Sequence, residues 1–279
     1  MLGSEEKRKT FYVRRVIFLL TSIVVAIPLL VQMRLPMVVG EPAHNLYDAV
    51  EAVPDDKIVI VSANWSAGSK GETAPQTEAL IRHLAKSGKR FAIWSWTQPL
   101  GPELAQNIAE PIAEEYGLEY GKDWVNWGYR TGSSQLIRGW AKDVWGTIKQ
   151  DFKGTPVEDI PIMQAIKSFE EMGLIVEITP SLSVPMYIRF LYGVHGVPIG
   201  YACTGVMAAE AYPYLDAGQL VGMMRGLAGA AEYEELVGFQ GDATRRMVAQ
   251  SFAHLLIIVL IIVGNVGYLV GLKRRRKRS

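Results

Sequence analysis

The sequence contains few of the residues that build metal centres and disulfides. Its 279 residues include one cysteine, Cys203, and four histidines, His44, His83, His195 and His254, with no metal-ligand spacing. A lone thiol can form neither an internal disulfide nor a zinc ribbon. Along an extended strand, His195 would lie about 26 Å from Cys203, too far for a nucleophile and its base. We therefore expect no metal site, no cofactor and no catalytic residue.

The middle of the chain also lacks a basic stripe. Residues 1–34 and 245–279 carry 14 of the 29 Lys and Arg residues but only two of the 28 acidic residues. The stretch 35–244 keeps 15 basic and 26 acidic residues, a net charge of −11. Binding to a phosphate backbone needs a positively charged surface. This excludes nucleic acid as a partner of the middle of the chain.

Two long apolar runs lie near the ends of the chain. Val16 to Val31 has 16 residues, which residues up to 36 can extend, and Phe252 to Leu272 has 21 residues without a charge. Twenty-one helical residues span about 31 Å, the thickness of a hydrocarbon core. We predict two transmembrane helices, with a cleaved signal peptide as the alternative for the first run.

Basic residues flank the two runs on their terminal sides. Five Lys and Arg residues precede the first run, and residues 273–278 are six consecutive basic residues. The positive-inside rule then places both termini in the cytoplasm of a two-pass protein of the cell (inner) membrane. The predicted segments are a cytoplasmic N-terminus (1–15), transmembrane helix 1 (16–36), an extracytoplasmic α/β domain (37–244), a juxtamembrane segment with transmembrane helix 2 (245–272) and a basic tail (273–279).

Between the anchors, apolar strand-like runs alternate with helical stretches. Ile58 to Val61 is a continuous apolar run, which is typical of a strand buried on both faces of a parallel sheet. This alternation predicts an α/β fold, a single Rossmann-like, doubly wound and mainly parallel sheet of about five strands. The predicted strands lie near 58–61, 90–96, 124–129, 174–179 and 197–204, and a last helix is predicted over about 216–237.

The carboxyl ends of these strands are polar, and ligands of open parallel sheets bind at that edge. The loop 66–72 precedes a helix and could hold an anion, although it matches neither a Walker A loop nor a G-x-G-x-x-G fingerprint. An ordinary connection between strand and helix looks the same. The predicted ligand-binding residues are Asn64, Ser66, Ser69, Lys70, Arg130, Thr131 and Ser133.

Tryptophan and glycine are concentrated in a few places. All seven tryptophans fall within 81 residues, and glycines recur in the predicted last helix and in the second apolar run. Exposed tryptophans favour protein contact, and small residues favour close helix packing. Core packing is the alternative for the tryptophans, and packing within one chain is the alternative for the glycines. The predicted interface residues are Trp65, Trp94, Trp96, Trp127, Gly218, Gly222, Gly226, Gly264, Gly267 and Gly271.

Two functions are consistent with these features. The first is a non-enzymatic assembly or scaffolding component of a membrane protein complex, which contacts the lipid bilayer and binds other membrane proteins or copies of itself. The second is a ligand-binding or enzymatic domain that acts on an anionic or sugar-like small molecule at the carboxyl edge of the sheet. The double anchor and the absence of a catalytic arrangement favour the first, because a Rossmann-like fold alone implies no activity.

Overall fold

The computed structural model describes residues 4–31, 33, 36–132 and 134–276. The chain divides into an α/β domain, 37–244, and a second unit made of 1–36 and 245–279. The strands are β1 (Ile58–Ala63), β2 (Phe91–Ser95), β3 (Trp124–Tyr129), β4 (Met172–Thr179), β5 (Ile199–Cys203) and β6 (Gly222–Arg225). The helices are α1 (Ser4–Val31), α2 (Glu41–Glu51), α3 (Lys70–Lys86), α4 (Gly101–Tyr116), α5 (Ser134–Lys142), α6 (Val144–Ile148), α7 (Val184–Tyr187), α8 (Gly193–His195), α9 (Ala208–Asp216), α10 (Gly226–Val237) and α11 (Asp242–Arg276).

The six strands form one parallel sheet in the order β3-β2-β1-β4-β5-β6. This is the Rossmann-like order, in which the chain winds outward in both directions from a central pair. All six residues of β1 are buried, as a continuous apolar run in a parallel sheet predicts. The predicted α/β class is therefore confirmed, with one strand more than the expected five.

Helices cover both faces of the sheet. Successive side chains of a strand point to opposite faces, so β1 contributes to two separate cores. Val59 and Val61 belong to the core beneath α2, α3, α4 and α10. Ile58 and Ile60 belong to the core beneath α5, α6, α7 and α9. Both faces of the sheet are thus closed by the chain's own helices.

The prediction of one helix over 216–237 is wrong. Gly218 lies in a turn with φ +67°, Gly222 begins β6, and α10 begins only at Gly226. A Cβ on Gly222 would lie 2.2 Å from the backbone nitrogen of Leu46 in α2. Glycine is therefore needed at position 222 because a helix packs directly on the strand backbone. The predicted interface glycines Gly218, Gly222 and Gly226 lie in different elements and do not share a helix face.

Two glutamates of α10 accept hydrogen bonds from backbone N–H groups near the first and the last residues of the domain. Glu232 accepts a hydrogen bond from the N–H of Gly40, the residue before α2, at 3.1 Å. Glu234 is fully buried and accepts from the N–H groups of Gly241 and Thr244 at 3.1 and 2.8 Å, and from the Thr244 hydroxyl at 2.6 Å. The Glu234 carboxylate thus satisfies N–H groups at the start of α11 that have no partner within that helix.

Both apolar runs form long helices. The segments Thr10–Val31 of α1 and Asp242–Val270 of α11 are long and apolar enough to cross a membrane, by length and composition. Their apolar side chains are largely exposed, as Leu30 is at 81%. The first segment begins before the predicted range 16–36 and is followed by residues only partly described. Residues 277–279 of the predicted basic tail lie outside the described part of the chain.

Candidate functional site

The direction of winding of the sheet reverses between β1 and β4. Connections from β1 lead through β2 to β3, whereas connections from β4 lead through β5 to β6. Ligands of open parallel sheets bind outside the carboxyl ends of the strands at such a reversal. Asn64 follows β1 directly, and Glu177 lies near the carboxyl end of β4. These two residues mark the candidate site.

Glu177 is a fully buried carboxylate in the interior of the sheet. Each of its oxygens accepts a hydrogen bond from Asn64 Nδ2 at 3.0 Å, and one also accepts from the hydroxyl of Ser183. Burial raises the pKa of Glu177 to about 7, although the hydrogen bonds from Ser183, Ser62 and Asn64 act in the opposite direction. A carboxyl group that titrates near neutral pH is able to accept or donate a proton there.

Asn64 links three neighbouring strands. Its Oδ1 accepts from the hydroxyl of Ser95 at 2.7 Å and from the N–H groups of Trp96 and Thr97, each at 3.0 Å. Its Nδ2 donates to Ser62 Oγ at 2.9 Å as well as to the carboxylate on β4. The amide therefore fixes the ends of β1, β2 and β4 against one another, and its donors and acceptor are engaged within the chain.

Tyr187 of α7 covers this polar group. Its hydroxyl lies 2.8 Å from Ser62 Oγ, and its ring makes edge contacts with Trp96 and Trp140 at centroid distances of 6.1 and 6.3 Å. Complete burial raises the pKa of Tyr187 well above the ordinary value. The phenol therefore stays neutral and serves as a hydrogen-bonding cover.

Two buried hydroxyls at the same edge lack a hydrogen-bond partner among the described residues. They are Thr97 Oγ1, two residues after β2, and Thr204 Oγ1, directly after β5. A buried hydroxyl without a partner costs about 1–3 kcal/mol. Gln76 Oε1 at the same edge is also buried without a partner among the described residues, so these three atoms could accept or donate further hydrogen bonds.

The first half of α3 closes the ends of β5 and β6. Gln76 Nε2 donates to the carbonyl oxygens of Cys203 and Gly226 at 2.8 and 3.1 Å. Glu72 accepts from the N–H of Gly205 at 2.8 Å. A Cβ on Gly226 would approach the Glu72 carboxylate to 2.7 Å, in addition to the strain at φ +55°. The edge beside β5 is therefore filled by α3.

The predicted residues of the first loop lie at the start of α3. Ser69 Oγ donates to the carbonyl oxygen of Ser66 at 3.3 Å, and Ser69 O accepts from the hydroxyl of Thr73 at 2.9 Å. Lys70 is the first residue of α3 and is exposed. These side chains stabilise the turn, and Lys70 is available to solvent.

Arg130 has a structural role. Its guanidinium donates to the carbonyl oxygens of Tyr129, Ile148 and Gln150 at 2.8, 2.7 and 2.5 Å. It thus ties the end of β3 to the end of α6, and burial lowers its pKa. Thr131 is exposed. Ser133, the last predicted ligand residue, lies outside the described residues.

Three of the four predicted interface tryptophans are core residues. Trp65, Trp94 and Trp127 are each 0% exposed, and Trp94 stacks on Trp140 at 4.1 Å between centroids. They cannot contact a partner without unfolding of the domain, which corrects the expectation for these three. Trp96 is partly exposed.

Cys203 is buried and free. Burial raises the pKa of its thiol to about 12, so the nucleophilic thiolate is disfavoured. Within 4–31, 33, 36–132 and 134–276, no group of three or more His, Cys, Asp and Glu side chains could hold a metal ion.

Asn64, a predicted ligand-binding residue, lies at this edge of the sheet, whereas Glu177, Glu72 and Gln76 were not among the predicted site residues. An acidic residue inside the apolar strand β4 was the available signal for Glu177. Compared with known proteins, the chain matches no protein family, no curated protein and no solved structure.

Proposed function

We propose that this chain is a membrane-anchored, non-enzymatic assembly component that binds other membrane proteins or copies of itself. The observation that carries the proposal is the open small-residue face of α11. Apart from α11 itself, no described residue lies within 4 Å of a Cβ built on Gly264 or on Gly267, and neighbouring apolar residues such as Val263 are more than half exposed. Gly271, four residues after Gly267, lies in the same helix.

Small residues favour association of helices in lipid because they let two backbones approach closely. Since the described part of the chain leaves Gly264 and Gly267 uncovered, a helix from another subunit is the occupant that this face fits. The charge distribution supports the same picture. Basic residues concentrate at the two ends, which favours two membrane crossings with the α/β domain outside the cytoplasm.

The carboxyl edge also supports a non-enzymatic function. Asn64 and Arg130 make their hydrogen bonds within the chain, and Tyr187 covers the Glu177 carboxylate. The hydrogen bonds of Asn64 and Glu177 within the chain hold the ends of neighbouring strands in one arrangement. The candidate site is consistent with a structural role.

The decisive experiment is to determine the mass and composition of the full chain extracted in a mild, uncharged detergent. Light scattering and peptide mass spectrometry should find a defined oligomer or a stoichiometric membrane-protein partner. The double variant Gly264→Ile/Gly267→Ile should dissociate it, because two branched side chains separate the helix backbones. Val266→Ile, which adds bulk on another face of α11, is the matched control. A monodisperse monomer without a partner would contradict the proposal.

A second candidate is binding of an anionic or sugar-like small molecule at the carboxyl edge. The unpaired hydroxyls of Thr97 and Thr204 favour it, together with the pKa of Glu177 near 7. Removing Arg130 is a poor test because that residue also holds α6. Lys70→Ala and Thr97→Val should instead weaken binding in a small-molecule screen at unchanged melting temperature. An unchanged binding profile in both variants argues against this site.

A further inference from the structure

A second site lies away from the switch point, in a cleft between α5 and the helical segment 184–195. The cleft has a volume of about 430 Å³, which is within the range of small-molecule pockets. Its lining residues are Arg138, Lys142, Arg189, Phe190, Val194 and His195.

The charge of the cleft is opposite to that of the domain. Residues 35–244 carry a net charge of −11, yet the residues that line the cleft include two arginines and a lysine and no acidic residue. Among the described residues, no acidic side chain lies within 4.0 Å of the charged atoms of Arg138, Lys142 or Arg189. Every one of the three cations is exposed. The cleft is therefore a concentration of positive charge without a counter-charge.

Two guanidinium groups share one aromatic ring in this cleft. The Cζ atoms of Arg138 and Arg189 lie 4.5 and 5.3 Å from the centroid of Phe190. The ring orients both groups, because guanidinium stacks on an aromatic face. Two like charges held on one ring repel each other, and a bound anion relieves that repulsion.

A π-helical turn produces this arrangement. Residues Ile188–Tyr192 form a π-helix between α7 and α8. Arg189 and Val194 are five residues apart, as are Phe190 and His195. In an α-helix a separation of five residues turns a side chain by about 140°, whereas the i to i+5 pattern of a π turn aligns the pairs. The π turn thus directs all four side chains into one cleft, and such turns occur frequently at functional sites.

Helix dipoles explain only part of this charge. Lys142 lies in the last turn of α5, where a cation stabilises the carbonyl end of a helix. Arg138 lies in the middle of α5, and Arg189 lies six residues before the end of its helical segment. The dipole effect falls off within one turn. The two arginines are therefore not placed to stabilise a helix end.

We infer that this cleft binds a small amphiphilic anion, a phosphate or carboxylate attached to an apolar group. Arginine forks match the geometry of phosphate and carboxylate oxygens. Phe190 and the exposed Val194 provide an apolar surface for the attached group. A soluble phosphomonoester and the headgroup of an anionic lipid share this chemistry. The inference is independent of the assembly proposal, because it concerns the domain and not the membrane helices.

The test uses the full chain in an uncharged detergent and phenyl phosphate as the probe, with binding measured by calorimetry. Phenyl phosphate should bind more tightly than inorganic phosphate, because its ring contacts Phe190. The variant Arg138→Gln/Arg189→Gln should lose affinity by about tenfold for each cation removed. Lys122→Gln, which removes an exposed cation outside the cleft, is the matched control and should bind like the wild type.

A second variant keeps the test independent of the arginines. Val194→Asp places a carboxylate at a 64% exposed position in the cleft without altering any cation, and it should abolish binding. Absence of phenyl phosphate binding to the wild type, or equal binding to all variants, overturns the inference.

Nanodiscs distinguish the two sources of the anion. Wild-type protein is reconstituted with phosphatidic acid or with phosphatidylcholine alone, and phenyl phosphate is titrated into each. If phosphatidic acid competes with the probe in the wild type, the anion is a lipid headgroup. If it does not compete, the anion is a soluble molecule. Both outcomes depend on probe binding that the two arginine substitutions weaken.

Discussion

At the scale of single residues, two buried titratable groups make stability depend on pH in opposite directions. Glu177 is fully buried in the sheet, and burial raises its pKa from 4.5 to about 7. The folded chain therefore binds more protons than the unfolded chain between these values. The stabilisation from this glutamate is complete below pH 4.5 and is lost as the pH rises through about 7.

The substitution Glu177→Gln should remove this dependence. From pH 4.5 to above pH 7, the free energy of unfolding of the variant should rise relative to wild type by at most about 3 kcal/mol. Denaturant titrations of the full chain at several pH values measure the difference. Glu158→Gln, at an exposed position, should show no such trend. A constant difference between Glu177→Gln and wild type across the range contradicts the assignment.

His83 acts in the opposite direction. It is buried, with Nδ1 2.7 Å from the hydroxyl of Tyr233, Nε2 2.7 Å from Glu51, and its ring stacked on Tyr47 at 4.1 Å. Burial lowers its pKa below 6.5, and the partly exposed Glu51 offsets only part of this effect. The unfolded chain therefore binds the proton more readily, so the stabilisation is present above pH 6.5 and is lost as the pH falls through the lowered pKa.

We therefore expect His83→Gln to be less stable than wild type at pH 8 and to lose less stability than wild type as the pH falls below 6.5. Wild type alone is uninformative, because the Glu177 effect opposes that of His83 over the same range. The melting temperature of the variant and of the wild type should be compared at each pH. His44→Gln, which alters an exposed histidine, serves as the control. Parallel melting curves for His83→Gln and wild type would exclude a buried neutral histidine.

At the scale of elements, the positions of most strands can be predicted from local sequence patterns. Contacts between residues of neighbouring strands cannot, because they depend on the order of the strands in the sheet. The first five strands are largely apolar runs bounded by turns, and this pattern identifies them in the sequence. Strand β6 has only four residues and passes directly into α10 at Gly226, so its pattern resembles that of one long helix. Asn64 could be predicted because it follows β1. Glu177 stands out as an acidic residue inside an apolar strand, but its contact with Asn64 could not be predicted, because only the order of the sheet places β4 beside β1.

The capping of α11 by Glu234 gives a prediction at this scale. Glu234→Ala leaves the N–H groups of Gly241, Ala243 and Thr244 without their acceptor in a buried position. Loss of a cap costs about 1–2 kcal/mol, and loss of a buried charged acceptor costs more. We expect the free energy of unfolding of the domain to fall by about 2 kcal/mol, measured by chemical denaturation. Its exposed neighbour supplies the control, since Glu235→Ala should change stability by less than about 0.5 kcal/mol.

Packing of α2 on β6 gives a second prediction. In Gly222→Ala, the new methyl group would meet the backbone of Leu46, so α2 has to move. Overpacking of this kind costs about 1–3 kcal/mol. Gly71→Ala is the informative comparison, because no described residue outside the helix's own backbone lies within 4 Å of a Cβ at that helical position. It should stabilise by about 0.5–1 kcal/mol, since alanine favours helix over glycine. Equal effects of the two substitutions would argue against direct contact between α2 and β6.

At the scale of the whole molecule, charge and apolar surface separate along the chain. The domain carries 26 of the 28 acidic residues, the chain ends concentrate 14 of the 29 basic residues, and the two long exposed apolar helices lie between them. The proposed transmembrane arrangement with both termini in the cytoplasm would account for this separation, because positive residues are retained on the cytoplasmic side. Because Cys203, the single native cysteine, is buried, the chain offers a low background for thiol labelling.

This background allows the arrangement to be tested directly. Val206, 85% exposed in the domain, and Arg8, exposed in α1, are each replaced by cysteine. A membrane-impermeant maleimide should label Val206→Cys in intact cells, whereas Arg8→Cys should react only after permeabilisation, and wild type should react in neither condition. Labelling of Arg8→Cys from outside contradicts cytoplasmic termini. A mature Arg8→Cys protein that never reacts, even when unfolded, indicates that the first apolar run is cleaved as a signal peptide, which leaves α11 as the sole anchor among the described helices.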